Sequence, residues 1–242
     1  MIKEAATNGN HELRYGKEII PFTIDFGSRK RLSISVYPDK SVKVRAPEKY
    51  SMNQILPRIE RRAFWVIKQR NYFERFHPLP APKVYLSGET HYYLGRQYRL
   101  KVTRGRKEAV YLKGAFFQIQ TRNQTNSARI RQLLCRWYGE RALCRFTFRL
   151  AELYQCVKKY GVSQPYLSIK DMKRRWGSCT KAGKIILNLR LIQAPADCID
   201  YVIMHELAHL VVHNHSSEYY RLLTRMMPDW QHRKKRLETI II

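Results

Sequence analysis

The sequence predicts an α+β fold, and three observations carry that expectation. Two stretches, residues 22–45 and 83–120, alternate apolar with polar residues at period two, as half-buried strands do. Residues 127–160 instead space their apolar residues by three and four, the helical period. A second helical pattern surrounds His205-Glu206-Leu207-Ala208-His209. Strands thus dominate the first half and helices the second, which is segregation rather than βαβ alternation.

Taken in order, residues 1–18 read as loosely ordered. Phe22 to Phe26, Arg31 to Tyr37 and Ser41 to Arg45 read as an antiparallel meander with one wet face, punctuated by Gly27-Ser28 and Pro38-Asp39. Ser51, with Gln54 three residues on, can cap a helix whose apolar side is Ile55, Ile59, Ala63, Val66 and Ile67. Pro57 suits that helix only near its first turn. A Pro-rich connector, residues 77–82, leads into a second β section with turns at Gly88, Gly95 and Gly114 and strand formers at Tyr98 to Val102 and Phe116 to Ile119.

The long helix then carries Leu143, Phe146, Leu150, Leu153, Tyr154 and Val157, and Gly161 can stop it. Short strands are expected at residues 166–170 and 184–188, flanking Arg174 to Thr180. The motif helix should start near residues 195–197, with Ile199, Ile203, Leu207 and Leu210 on its core face and Val202, His205 and His209 on the other. Ser216 can cap a further helix bearing Tyr219, Leu222, Leu223 and Met226, which Pro228-Asp229-Trp230 ends before a basic segment. We expect a basic β-rich region with one helix over residues 1–125, a catalytic domain over 126–242, and no internal repeat.

Charge separates these regions. Lys and Arg number 46 against 19 Asp and Glu, a net +27. Residues 1–159 hold 33 basic and 12 acidic side chains, whereas residues 160–242 hold 13 and 7. The field ahead of the motif would attract a nucleic acid, a nucleotide or an acidic protein; the plainer alternative is a basic soluble surface. Arg58, Arg61, Arg62, Lys68 and Arg70, interleaved with Trp65, Tyr72 and Phe73, could meet phosphates and bases, or could be solvated charge around core aromatics. No apolar run approaches the ~20 residues of a membrane span, and residues 1–10 lack the apolar centre of a secretion signal. Five cysteines, an odd number, fit reduced thiols in a cytoplasm, with Cys135 and Cys144 as small buried groups on the long helix.

The chemistry lies in the motif. Residues four apart stack on one helix face, so His205 and His209 can point two imidazoles at one ion. Glu206 stands beside the first, where it can serve a metal-activated water as general base, the logic of HExxH in zinc hydrolases. A third ligand must follow. His213 is one helical step beyond His209, while His215 needs a turn. Asn214 tolerates a left-handed helix stop, which favours a helix ending near His213 and His215 swinging back. That spacing is the ligand spacing of metzincins, although Val212 stands where their glycine does. Three ligands would leave one position for water, as catalytic sites do; a structural zinc would need a fourth, from His213, Cys179 or Cys198.

Around the motif, Asp200 or Asp171 could orient a ligand histidine. Trp176 reads as a core anchor, Gly177 as a tight turn, and residues 184–188 as a sheet edge that could pair with an extended peptide. Lys173, Arg174 and Arg175 could bind a phosphate or carboxylate, or form a solvated basic turn.

Several motifs in order resemble the YgjP-like metallopeptidase family, whose relatives include the SprT and WLM proteases. They are Arg175-Trp-Gly-Ser-Cys179, Lys184 to Leu191, Ile199 to Leu210, Asn214-His-Ser216 and Pro228-Asp-Trp230, with weaker likeness at Leu86-Ser-Gly-Glu89 and Leu94-Gly95. The resemblance implies a zincin-like fold, Zn2+ held by His205, His209 and His215, and Glu206 as the catalytic base. Tyr219-Tyr220 stand where the family usually has Phe-Trp. A peptide or protein substrate is implied. A nucleotide pyrophosphatase using the same metal is the alternative, and a nucleic-acid-binding module with a structural zinc is a third reading.

Overall fold

A computed structural model describes residues 9–75, 77, 81–173 and 175–240. Part of the Pro-rich connector, Arg174 and residues 1–8 lie outside them. Its contacts form two compact units that divide between Ala81 and Pro82, rather than near residue 125.

The first unit has strands β1 (Gly9–Tyr15), β2 (Glu18–Gly27), β3 (Ser33–Val36) and β4 (Val42–Pro47), then helices α1 (Met52–Glu60) and α2 (Ala63–Glu74). Residues 9–15, expected to be loose, pair along their full length with β2. The sheet order is β1-β2-β4-β3 with β2 parallel to β4, so the expected meander is wrong. Period two reports which face of a strand is wet and says nothing of its neighbours. Gln54 Oε1 accepts from the Ser51 N–H at 3.2 Å, closing the start of α1 as expected. One helix was expected here and two are found: Arg62 leaves helical geometry at φ −110°, ψ 2°. Ile20, Phe22, Ile24, Val42 and Val44 bury against Ile55, Ile59, Ala63 and Val66 as a core of their own.

In the second unit, β5 (Thr90–Tyr93), β6 (Arg96–Arg104), β7 (Ala109–Lys113) and β8 (Phe116–Thr121) form a sheet ordered β5-β6-β8-β7, with β6 parallel to β8. This is the strand order and sense of the first sheet, so a topological repeat exists that the residues do not display. Helix α3 (Ser127–Lys158) follows, capped by the Asn126 side chain, which accepts from the Arg129 N–H at 3.0 Å. Phe117 of β8 meets Trp137 and Tyr138 of α3 edge-on, which ties this sheet to the helix and explains why the chain does not divide at 125. Cys135 and Cys144 are exposed rather than buried, lying off the packed face.

Strands β9 (Tyr166–Lys170), β10 (Gly177–Cys179) and β11 (Lys184–Asn188) form a small sheet ordered β10-β11-β9. After a 3-10 turn at Leu189–Gln193 come α4 (Ala196–Ala208), α5 (Ser217–Met226) and α6 (Trp230–Glu238). Helix α4 is buried around nearly its whole circumference, Tyr201, Val202 and Met204 included, so its two faces do not separate as expected. Its start is fixed from the sheet side. The Leu94 and Gly95 N–H groups donate to Ile192 and Gln193 carbonyls at 3.0 and 2.9 Å, and Gly95, at φ +79°, leaves no space for a Cβ against Pro195. Glu89 accepts from the Val84 and Tyr85 N–H groups and from His91, which makes the Leu86-Ser-Gly-Glu89 motif a structural clamp. Among the described residues no helix is long and apolar enough to cross a membrane, and all five cysteines are free.

Candidate metal centre

Helix α4 brings His205 and His209 to one face, as the four-residue spacing requires. The helix ends at Ala208, sooner than expected, with His209 as its C-cap. His213 is therefore off the helix, and its Nδ1 donates back to the His209 carbonyl at 2.8 Å. The chain turns without a left-handed Asn214; the Asn214 side chain instead accepts from the Ser216 N–H at 3.3 Å. That turn returns His215 to the other two rings. Its Nε2 lies 3.1 Å from the Nε2 atoms of both His205 and His209.

Three ring nitrogens converging in this way suit a cation. A neutral imidazole nitrogen carries either a proton or a lone pair, so one Nε2 cannot satisfy two others well by hydrogen bonding. Nitrogens ~2.0–2.1 Å from a tetrahedral zinc would sit roughly 3.3 Å apart, close to the spacing found. The His209 Nδ1–H donates to the Val212 carbonyl at 3.1 Å, which leaves its Nε2 free as a lone-pair donor. Burial, aided by the neighbouring His209 and His215, pushes the His205 pKa down to about 3, so this ring is neutral across the physiological range. Together these three are the one His/Cys/Asp/Glu group among the described residues whose donor atoms could hold a metal. His213, Cys179 and Cys198 do not join it.

Glu206, next to His205 on the same helix, is buried and packs against Gly177 of β10. The Cys179 N–H donates to its carboxyl, and a Cβ on Gly177 would fall 2.6 Å from its Oε1. Gly177 is not in the left-handed region, so the expected tight turn is not its reason; close approach of the carboxyl is. Burial pushes Glu206 up to about 7, against the opposing pull of Arg175 and the Cys179 hydrogen bond. Cys179 itself is driven up to about 11 by burial and by Glu206, the reverse of an activated thiolate.

Other expectations fail here. Strand β11 is the middle of its sheet, not an edge; the edge facing Glu206 is β10. Even-numbered residues 176 and 180 bond to β11, so the Gly177 and Cys179 N–H groups point outward. Asp200 accepts from two of the three guanidinium nitrogens of Arg149 at 2.7 Å, and Asp171 pairs with Arg190, so neither orients a histidine. His205 Nδ1 is buried without a hydrogen-bond partner.

Tyr219 does that positioning instead. It is fully buried, its ring stacks on His209 at 4.5 Å, lies 4.9 Å from His215, and its hydroxyl donates to the His205 carbonyl at 3.0 Å. Asn188, by contrast, had no signal of its own. Its side-chain amide donates to the Met172 and Arg175 carbonyls at 2.7 and 2.8 Å, pinning the loop that leads into β10. Tyr219 could have been suspected from its place one turn into a helix capped just after His215; Asn188 could not.

The second unit of this mixed α+β chain gathers three histidines whose donor atoms could hold a metal ion. The family model described as YgjP-like, metallopeptidase domain, matches residues 30–240, and the chain belongs to that family. At family level it is therefore a metal-dependent peptidase, a hydrolase. No curated protein and no solved structure matches it.

Proposed function

We propose that the chain is a zinc-dependent peptidase with a zincin-like catalytic unit, in which His205, His209 and His215 hold the ion and Glu206 is the general base. The observation that carries this reading is the convergence of three Nε2 atoms beside a buried carboxylate that is not itself in the ligand set. His215 is exposed whereas His205 and His209 are half-buried, so the triad opens to solvent on the His215 side. A fourth protein ligand, which a purely structural zinc needs, is lacking among the described residues.

When bound, the ion would supply Lewis acidity and lower the pKa of a water to about 7. Glu206 takes a proton at its carboxylate and returns it to the departing amine nitrogen. Gly177 and the Cys179 N–H hold that carboxylate in place, while Tyr219 holds the rings. β10, rather than β11, is the edge strand nearest Glu206, and because its Cys179 N–H is taken by that carboxylate an extended peptide would have to pair with the rest of the edge.

The test is cleavage of casein-derived peptides by the purified chain, with a chelator and zinc restoration as controls and nucleoside triphosphates assayed in parallel. Zinc-restored peptide cleavage supports the reading. Hydrolysis of triphosphates alone would replace it with a pyrophosphatase.

A further inference from the structure

Far along the chain from the histidines, the first unit contains a groove of about 610 Å3 lined by Arg31, Arg58, Arg61, Arg62, Tyr50 and Trp65, among others. Such a volume falls in the ~300–1,000 Å3 range of ligand sites. The break between α1 and α2 creates it. By ending one helix and starting another at Arg61-Arg62, the chain sets two consecutive guanidinium groups on the rim, with Arg58 one turn before and Trp65 just after.

Two features mark this groove as more than solvated charge. First, no carboxylate lines it. The ion pairs among the described residues of this unit are Lys40–Glu74 and Arg45–Asp25, which leave all four arginines unneutralised by acid. Second, aromatic surface is left open beside the charge. Trp65 is 40% exposed and its neighbour Phe64 is 71% exposed, while Tyr50 already carries the Arg58 guanidinium over its ring at 4.9 Å. Adjacent exposed aromatics beside arginines that no carboxylate pairs, Arg58 being held on Tyr50 and the Gln54 carbonyl, make up the cation-and-ring surface that single-stranded nucleic acids use.

We infer that this groove binds single-stranded nucleic acid, with the arginines on phosphates and Trp65 stacking on a base. Guanidinium forks match phosphate oxygens bidentately. Stacking needs a base face, which a duplex hides and a single strand offers. A run of Asp and Glu would satisfy the charges but has no aromatic face for the tryptophan. The site does not depend on the metal centre, so its test is separate from that of the peptidase.

The experiment is fluorescence anisotropy of the full chain with labelled single-stranded DNA and RNA of mixed sequence, over a salt series. Duplex of the same length, free nucleoside monophosphate and polyglutamate serve as competitors. Contact with three or four phosphates predicts a slope of about −2 to −3 in log K against log salt. Arg61→Ala/Arg62→Ala should weaken binding at least tenfold and flatten the slope by about 1.4. Trp65→Ala should weaken binding roughly five- to hundredfold with the slope unchanged. Arg106→Ala/Lys107→Ala, which removes the same charge from an exposed turn of the second unit, should change little. Because Arg62 begins α2, Arg31→Ala provides a variant outside the helices and should also weaken binding. Equal binding by all variants, equal affinity for duplex, or full competition by polyglutamate would each overturn the proposal.

Discussion

Gly177 and Glu206 touch so closely that a single added methyl group would fall 2.6 Å from Oε1 and 2.9 Å from Cγ of the glutamate. Gly177→Ala must therefore shift either β10 or the carboxylate. Turnover should fall by tenfold or more while zinc content stays near one per chain, because the atoms nearest the added methyl all belong to Glu206 and not to a histidine. Gly139→Ala, at an α3 position with open space around its missing Cβ, is the control; it should stabilise the chain by about 1 kcal/mol. Metal analysis and peptide turnover on both variants decide the matter.

Glu206→Gln keeps the shape of the side chain and removes its basicity. It should bind zinc as the parent does and lose ~10²–10⁴-fold in turnover, the usual worth of a positioned base. Parental activity in a zinc-loaded Gln variant would end the assignment.

His213 and His215 differ by two residues and should differ completely in effect. His215→Ala should lose zinc and activity together. His213→Ala removes only a ring that donates to the His209 carbonyl, and should keep both within a few-fold. Elemental analysis after dialysis distinguishes them.

Tyr219→Phe deletes one hydrogen bond, to the His205 carbonyl, and keeps the ring stack on His209. A loss of about 1 kcal/mol in stability is expected, with zinc affinity weakened about tenfold as for other groups that position ligands. Tyr219→Ala would also open a cavity and should cost ~3–5 kcal/mol. Competition with a chromophoric chelator reads the affinity.

The Glu89–His91 pair should make the second unit acid-labile. Burial alone would raise Glu89, but the Val84 and Tyr85 N–H groups and His91 outweigh it and leave its pKa below the ordinary value. His91 is lowered from 6.5, chiefly by burial, with Glu89 opposing. Both groups bind protons less readily folded than unfolded, so both contribute stability that is present above their unfolded pKa values and lost as pH falls through the folded ones. Urea unfolding followed from pH 8 down to pH 4 should show the loss beginning as His91's ordinary range is crossed. Glu89→Gln should cost ~1–3 kcal/mol at neutral pH and shrink the acid dependence.

Much of the fold was legible because local periods are local physics. The long helix, the strands at residues 166–170 and 184–188, the cap at Ser216 and the HExxH spacing all follow from side chains within a few residues of one another. Strand order was not legible: β2 and β4 pair in parallel across an intervening hairpin, and no alternation within either strand encodes its neighbour. The same gap hid the true edge strand and the topological repeat. At the site, three histidines could be chosen from spacing, yet the reason for Gly177 lies in a glutamate 29 residues away in sequence, and Asp200 was claimed by an arginine from α3. Contacts of that kind have no signature in one sequence.

Two separate hydrophobic clusters, with no residue in common, follow the division at Ala81. Calorimetry should accordingly resolve two cooperative transitions, so that a lone melting temperature would average unlike events. Added zinc should raise only the transition of the cluster built around α4, by mass action on its folded form, while an oligonucleotide should raise only the other. One heating scan with each additive would thus report, without any catalytic assay, which half of the chain has met its ligand.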